Sequence, residues 1–142
     1  MSGETVQAAC HCKRVRFEAV LVDGLNSVRR CDCSFCRMRG AVVVSAEAGG
    51  ITISNGQDAL AEYQFNTRTA KHYFCSFCGI YTHHQRRSNP RQFGVNVACI
   101  EGVSPFDFLE VAVNDGVHHP SDLRPGEKPK LSGILRYEPT QG

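Results

Sequence analysis

Short runs of apolar and β-branched residues, separated by glycine and small polar residues, recur along the whole chain. Alternating apolar and polar positions over a few residues are typical of half-buried strands. The runs predict strands at residues 15–22, 41–46, 51–53, 60–65, 71–74, 80–84, 93–98 and 134–137. The pairs Gly49-Gly50 and Asn55-Gly56 lie between them and are typical of turns. The pattern therefore predicts an all-β fold built from hairpins.

The chain has no long stretch with the period of an amphipathic helix, although a short helical turn at residues 60–63 is an alternative to a strand. Residues 118–129 are rich in proline and charge, which indicates a long surface loop before the last strand. Neither an internal repeat nor a linker interrupts the pattern. We therefore expect a single domain over residues 1–142, with a core at about 6–138.

Composition and charge narrow the possible partners. A chain of 142 residues is long enough to bury roughly two thirds of its unfolded surface. Its formal net charge of +2 is too small to indicate nucleic acid or an anionic membrane as the partner. The first residues lack the apolar core of a signal peptide, and the longest aliphatic run, 41–44, is too short to cross a bilayer. We expect a soluble protein of the cytoplasm.

The eight cysteines indicate metal or redox chemistry, because the cytosol keeps thiols reduced. Disulfides are the alternative. Cys75 and Cys78 are separated by two residues and followed by Gly79, which is the pattern of a zinc knuckle. Glycine after the second cysteine can adopt the positive φ that ends such a turn. A redox pair of the thioredoxin type would need a βαβ setting, which the pattern does not predict.

One knuckle supplies two thiolates, whereas tetrahedral zinc takes four ligands. Cys10 and Cys12 are the candidate second pair, since a one-residue gap places two side chains on the same side of an extended strand. A zinc ion shared by the two pairs would tie the N-terminal region to the hairpin at Cys75. The sequence thus predicts a metal site that joins distant parts of the chain.

The remaining cluster, Cys31, Cys33 and Cys36, supplies three thiolates within six residues. Three protein ligands and one exchangeable position are typical of a catalytic zinc. In the structural alternative, Cys99, a histidine or a neighbouring pair closes the site. The spacing does not match the common ferredoxin motifs, which disfavours an iron–sulfur cluster.

The stretches ACHCKRVRFE, CDCSFCRMRGA, ITISNGQDALAEYQF, HYFCSFCGIYTHH and FGVNVACIEG occur in this order along the chain. Together they resemble the glutathione-dependent formaldehyde-activating enzyme family, whose eukaryotic relatives include centromere protein V. The resemblance spans residues 10–100 or so and includes all seven clustered cysteines. In one detail the chain differs, because Lys13 stands where a glycine commonly follows the first pair.

The resemblance implies zinc-stapled antiparallel sheets of the β-tent type with two zinc ions per chain. It implies a structural zinc held by four residues, namely Cys10, Cys12, Cys75 and Cys78. It implies a catalytic zinc held by three residues, namely Cys31, Cys33 and Cys36. Members of the family are carbon–sulfur lyases that join formaldehyde to glutathione as S-hydroxymethylglutathione. Water, and later the substrate thiol, would then occupy the fourth position of the catalytic zinc.

Several neighbouring residues have both a functional and a structural interpretation. Four arginines flank the cysteine triplet and could bind substrate carboxylates or offset thiolate charge, namely Arg29, Arg30, Arg37 and Arg39. His83 and His84 should face opposite sides of a strand, so at most one of them points at a given site. His118 or His119 could shuttle protons, or both could lie in an exposed loop. Cys99 is predicted to be buried and to pack like a small apolar residue.

Two functions remain open from the sequence. One is a zinc-dependent carbon–sulfur lyase acting on a small thiol and an aldehyde, with a hemithioacetal as product. The other is a non-catalytic zinc module that binds a protein or chromatin partner, as the centromere protein V branch suggests. Exchange of the fourth ligand of the triplet distinguishes the two.

Overall fold

The structure, a computed structural model, describes residues 4–65, 68–87, 89–117, 124–128 and 130–141. The described residues form ten strands, which are β1 (Thr5–Ala9), β2 (Arg16–Leu21), β3 (Arg29–Cys31), β4 (Val43–Asn55), β5 (Leu60–Tyr63), β6 (Lys71–Cys75), β7 (Tyr81–Gln85), β8 (Phe93–Asn96), β9 (Glu110–Asn114) and β10 (Leu131–Arg136). A four-residue helix, α1 (Cys36–Arg39), and three single 3₁₀ turns lie between them. The prediction of an all-β fold is confirmed.

The strands form one connected sheet in the order β10-β9-β3-β4-β8-β7-β6-β5. Strand β2 pairs with the C-terminal half of β4, and β1 pairs with β2. All pairings are antiparallel except that of β3 with β9. Strand β4 pairs with β8 at one end and with β2 at the other. The sheet is therefore mixed, and β4 links its two halves.

The core follows the period-two alternation of the strands. In β2, Phe17, Ala19 and Leu21 are buried whereas Arg16 and Glu18 are exposed, because successive side chains point to opposite faces. Val44 and Val95 add to the same core from β4 and β8. The large apolar residues that are predicted in strands thus supply most of the packing.

Several predicted boundaries differ from the structure. The runs predicted at 41–46 and 51–53 form one strand, β4, which begins at Val43, because Gly49 and Gly50 form a bulge instead of a turn. Gly49 has a φ of 72°, and residues 47–50 lie opposite the single residue Val20. Residues 97 and 98, predicted as the end of a strand, lie instead in a 3₁₀ turn (Val97–Cys99) whose Ala98 amide donates to the side-chain oxygen of Asn96.

Strands β1, β3 and β9 were not predicted from the sequence. Residues 60–63 form a strand and not the alternative helical turn. The predicted surface loop at 118–129 lies for the most part outside the described residues. No helix in the described part of the chain is long and apolar enough to span a membrane.

Two cysteine clusters and a basic cleft

The first cluster lies where two hairpin turns meet. The turn between β1 and β2 carries Cys10 and Cys12, and the turn between β6 and β7 carries Cys75 and Cys78. The four sulfur atoms lie within 4.8 Å of one another, so the structure brings together the residues proposed to share a metal. The sequence argument for the first pair was wrong in one respect. The sulfurs converge because of the tight turn, not because of an extended strand.

Both turns need a backbone conformation that favours glycine. In the second, Gly79 has a φ of 78° and its amide donates to the Cys75 carbonyl at 2.8 Å. In the first, Lys13 has a φ of 69° and its amide donates to the Cys10 carbonyl at 3.2 Å. The predicted role of Gly79 is confirmed. Lys13 adopts the same left-handed backbone conformation, although its Cβ atom disfavours that conformation.

The first cluster fits a tetrahedral zinc ion. Zinc–sulfur bonds of about 2.3 Å place tetrahedral sulfurs roughly 3.8 Å apart. Cys12 lies 3.6 Å from Cys10 and 3.7 Å from Cys75, measured between the sulfur atoms. The amides of Val15 and Phe77 donate to the sulfurs of Cys10 and Cys75, each at 3.4 Å, and such hydrogen bonds favour thiolate.

The second cluster is the triplet Cys31, Cys33 and Cys36, whose sulfurs also lie within 4.8 Å of one another. Cys31 ends β3, and Cys36 begins α1. The amides of Cys33 and Cys36 donate to the sulfurs of Cys31 and Cys33 at 3.4 and 3.3 Å. Hydrogen bonds from Cys31 and Cys36 lower the pKa of Cys33. Three convergent sulfurs, one of which has a lowered pKa, suit a metal cation.

No fourth cysteine, histidine or carboxylate among the described residues joins the triplet. Cys99, one candidate for that role, is buried elsewhere and its thiol donates to the Tyr81 carbonyl at 3.4 Å. Burial raises the pKa of this thiol to about 12, as expected for a residue that packs like a small hydrophobe. His118 and His119 lie outside the described residues.

The loop after β9 forms a wall against the triplet. A side chain on Gly116 would collide with the sulfur of Cys31 and come within 2.8 Å of Cβ of Cys33. The Gly116 amide donates to the side chain of Asp32 at 2.8 Å, and the hydroxyl of Ser132 donates to the same carboxylate. Asp32 therefore fixes the C-terminal strands beside the cysteines.

The triplet opens into a cleft of about 850 Å³. Six arginines line it, namely Arg29, Arg30, Arg37, Arg39, Arg86 and Arg87. Lys130 adds a seventh cation, whereas Asp115 is the single carboxylate among the described lining residues. All four arginines that flank the triplet in sequence therefore face one cleft, and two more come from the segment after β7. The excess of positive charge suits an anionic ligand.

Two of these cations are half-buried in the cleft. Burial, followed by the charge of Arg86, lowers the pKa of Arg29 to about 10. Burial also lowers the pKa of Arg86, whose guanidinium donates to Ser45 at 3.2 Å and to Gln92 at 2.6 Å. Two half-buried cations that repel each other bind a carboxylate more favourably than exposed ones do, because water screens them less.

Arg39 connects the triplet with a stack of aromatic rings. Its guanidinium lies 3.7 Å from the Tyr81 ring centre and 4.8 Å from that of Phe35. It donates to the sulfur of Cys36 at 3.7 Å and to Nδ1 of His72 at 3.0 Å. The interpretation in which an arginine offsets thiolate charge therefore applies to Arg39.

The two histidines of β7 face opposite sides of the sheet, as predicted. His84 lines the cleft and its ring contacts the Tyr81 hydroxyl. His83 packs on the other side, with its ring centre 5.3 Å from Phe17 and 4.7 Å from Tyr73. His72 lies opposite His84 in the β6–β7 register and also lines the cleft. Sequence reasoning missed His72. A signal was present, because the knuckle turn joins β6 to β7 and the hairpin register places His72 opposite His84.

Comparison with known proteins identifies the family. The model of the glutathione-dependent formaldehyde-activating enzyme family matches residues 5–110, which include both cysteine clusters. The chain belongs to this family. The matched region contains β1–β8 and ends as β9 begins, so the Gly116 wall and Lys130 lie beyond it.

A crystal structure of a Rhodobacter sphaeroides protein is similar to this family member. The two chains are 54% identical, with a TM-score of 0.74. The similarity covers 75% of this chain and 98% of that chain. A quarter of this chain therefore has no counterpart in that alignment.

Proposed function

We propose that this protein joins a small aldehyde, such as formaldehyde, to a thiol, such as glutathione, at the cysteine triplet. The observation that supports this most strongly is the pairing of three convergent sulfurs with a cleft lined by six arginines. Membership of the family supports glutathione-dependent formaldehyde activation as the activity. The proposed class is carbon–sulfur lyase.

The two clusters fit zinc in different roles. We assign the structural ion to the four cysteines at the meeting of the two turns, because they satisfy a tetrahedral ion completely. We assign the catalytic ion to Cys31, Cys33 and Cys36. These three residues would hold the ion as thiolates and leave one position exchangeable, at which the metal would favour loss of the proton of a substrate thiol. The metal would be zinc, two per chain.

The arginines of the cleft support a glutathione-like thiol as the substrate. Glutathione carries two carboxylates, and a guanidinium binds a carboxylate through two parallel hydrogen bonds. Arg29 and Arg86, which are half-buried neighbours in the cleft, are the candidates to bind one carboxylate near the metal. Arg30, which is half-buried, and Arg37, which is exposed, line the same cleft and are available for the second.

The reaction is an addition. The substrate sulfur attacks the aldehyde carbon, a carbon–sulfur bond forms, and the π electrons of the C=O bond move to the oxygen. That oxygen takes a proton from water, which replaces the proton that the thiol released on binding. The product is a hemithioacetal, and the reverse reaction returns aldehyde and thiol. The protein contributes orientation and a positively charged, partly closed environment.

The proposal includes a cytoplasmic location, where free thiols persist. All eight cysteines are free thiols in the structure. The alternative is a non-catalytic zinc module that binds a protein or chromatin, and it requires no ligand exchange at the triplet.

Cobalt substitution tests the proposal. In the cobalt protein, glutathione should change the thiolate charge-transfer and d–d absorption bands, because a further sulfur enters the coordination sphere. S-methylglutathione retains both carboxylates but cannot form a thiolate, so it serves as the control. It should bind in the cleft without changing the charge-transfer bands.

Catalysis is measured by NMR exchange between ¹³C-labelled formaldehyde and its glutathione adduct. The protein should accelerate this exchange, and Cys33→Ser should abolish both the acceleration and the cobalt response. If glutathione and other cellular thiols leave the cobalt spectrum unchanged, the non-catalytic module is the better account.

A further inference from the structure

His72 lies on the wall of the cleft with one ring nitrogen bonded and the other without a partner. Arg39 contacts Nδ1 at 3.0 Å. Nε2 is buried and has no hydrogen-bond partner among the described residues. A buried polar group without a partner costs free energy, so its persistence at a binding site indicates that a ligand supplies the missing partner.

The contact with Arg39 determines which nitrogen of His72 carries the proton. A guanidinium can donate hydrogen bonds but cannot accept them, so Nδ1 must be the acceptor. The proton of the neutral ring therefore lies on Nε2, which is the unpartnered atom. Burial, followed by the charge of Arg39, lowers the pKa of His72 to about 4 and keeps the ring neutral.

The surroundings hold the ring in place beside the triplet. Phe35 and Phe65 pack against it, with ring centres at 4.5 and 5.8 Å, and His84 stacks on it at 5.2 Å. Arg39 donates to His72 and to the sulfur of Cys36, so a single guanidinium separates the imidazole from the triplet. The Nε2–H group is therefore a preorganised donor on the wall of the cleft that also contains the triplet.

The geometry points to His72 as a catalytic residue whose Nε2–H donates a hydrogen bond to the aldehyde oxygen. This inference rests on the proposed function. As the carbon–sulfur bond forms, negative charge develops on that oxygen, and a fixed donor in a shielded site stabilises it. His72 keeps its own proton, because a neutral imidazole is too weak an acid to give it up. The proton of the product hydroxyl comes from water.

Two substitutions isolate the donor. His72→Phe keeps a ring of similar size among the aromatic neighbours but removes the N–H group. His72→Gln restores a side-chain N–H donor. His83→Phe is the matched control, because it makes the same change in the same sheet on the side that faces the core. Melting temperatures establish that each variant is folded.

We expect His72→Phe to bind glutathione with wild-type affinity in the cobalt assay and to lose roughly 100-fold in the rate of aldehyde exchange. His72→Gln should recover part of that loss, and His83→Phe should keep the wild-type rate. A wild-type rate in His72→Phe overturns the inference. So does a parallel loss of thiol affinity, which would mean that His72 only shapes the binding site.

A measurement on the unsubstituted protein covers the case in which the variants do not fold. The ¹⁵N spectrum of the imidazole should show His72 protonated on Nε2. The resonance of that proton should move when formaldehyde and glutathione are added together, but much less with S-methylglutathione. Protonation on Nδ1, or no movement with the reactants, overturns the inference. If the wild type fails to bind any thiol, the proposed function falls first, and this role falls with it.

Discussion

Lys13 adopts a left-handed conformation, with a φ of 69°, in the turn that holds Cys10 and Cys12. A side chain in this conformation costs about 1 kcal/mol relative to glycine. We expect Lys13→Gly to raise the free energy of unfolding by up to about 1 kcal/mol, as measured by thermal or urea unfolding of the zinc-loaded protein. Lys13→Ala removes the same charge but keeps the Cβ atom, so it should not stabilise the protein. If the two substitutions change the free energy of unfolding equally, the change comes from the lost lysine charge and not from the backbone conformation.

Gly116 lies directly against the triplet although it belongs to a different loop. A Cβ atom at this position would collide with the Cys31 sulfur, so Gly116→Ala must displace either the triplet or the C-terminal wall. We expect the affinity for the second metal to fall at least about tenfold while the first metal is retained. Gly133→Ala is the control, because a Cβ atom there meets nothing within 4 Å. Competition with a chromophoric chelator measures both affinities.

At the scale of elements, the sequence predicts the strands that are marked by alternating apolar and polar residues. The strands that bury regular apolar faces, such as β2 and β8, are predicted nearly in full. Strand β3 has the sequence RRC, and two of its three residues are arginines that line the cleft, so no apolar pattern marks it. Its position depends on pairing with β4 and β9, which are distant in sequence. Long-range pairing of this kind is not visible in a local pattern.

The same limit applies to the site. Spacing was enough to divide the cysteines into a group of four and a group of three, because each short motif sets its own turn. His72 and Arg86 carry no such motif, and the cleft forms only when β3, β6 and the segment after β7 come together. The role of Asp32 was also missed, because its partners Gly116 and Ser132 lie 84 and 100 residues away along the chain.

Strand β7 gives a prediction about pH. Burial lowers the pKa of His83 to about 4, so the folded protein holds this ring neutral. The unfolded chain binds a proton near pH 6.5, and therefore the stability from the neutral ring is present above pH 6.5 and is lost between pH 6.5 and 4. His83→Phe should remove this loss. Between pH 7 and 4, the wild type should lose on the order of 3 kcal/mol more than the variant.

Urea unfolding at a series of pH values measures this difference. Metal release in acid affects both proteins, so it cancels in the comparison. Parallel stability curves for the two proteins would mean that His83 is not held neutral by burial.

At the scale of the whole molecule, the two metals should contribute unequally to folding. Cys12 and Cys75 contact each other across 63 residues, so a metal shared by them closes a long loop and its binding energy is largely folding energy. Cys31, Cys33 and Cys36 lie within one short segment. Cys12→Ser should therefore destabilise the whole protein by several kcal/mol and reduce its solubility. Cys33→Ser should stay folded and keep one zinc ion, as measured by melting temperature and metal content.

If Cys33→Ser unfolds as readily as Cys12→Ser, the triplet is a structural site and the proposed chemistry loses its basis. A mild chelator gives an independent check, since it should remove one metal while the far-UV circular dichroism persists. Loss of both metals in a single step with unfolding would contradict the division into two sites.

The central claim is that the triplet leaves one coordination position open to a substrate thiol. Cadmium-113 NMR tests it directly, because the chemical shift of cadmium reports the number of sulfur ligands. The cadmium protein should give two resonances, one with four sulfurs and one with three. Glutathione should move only the second, toward the four-sulfur position. Two four-sulfur resonances without added thiol, or no movement with glutathione, would contradict the account.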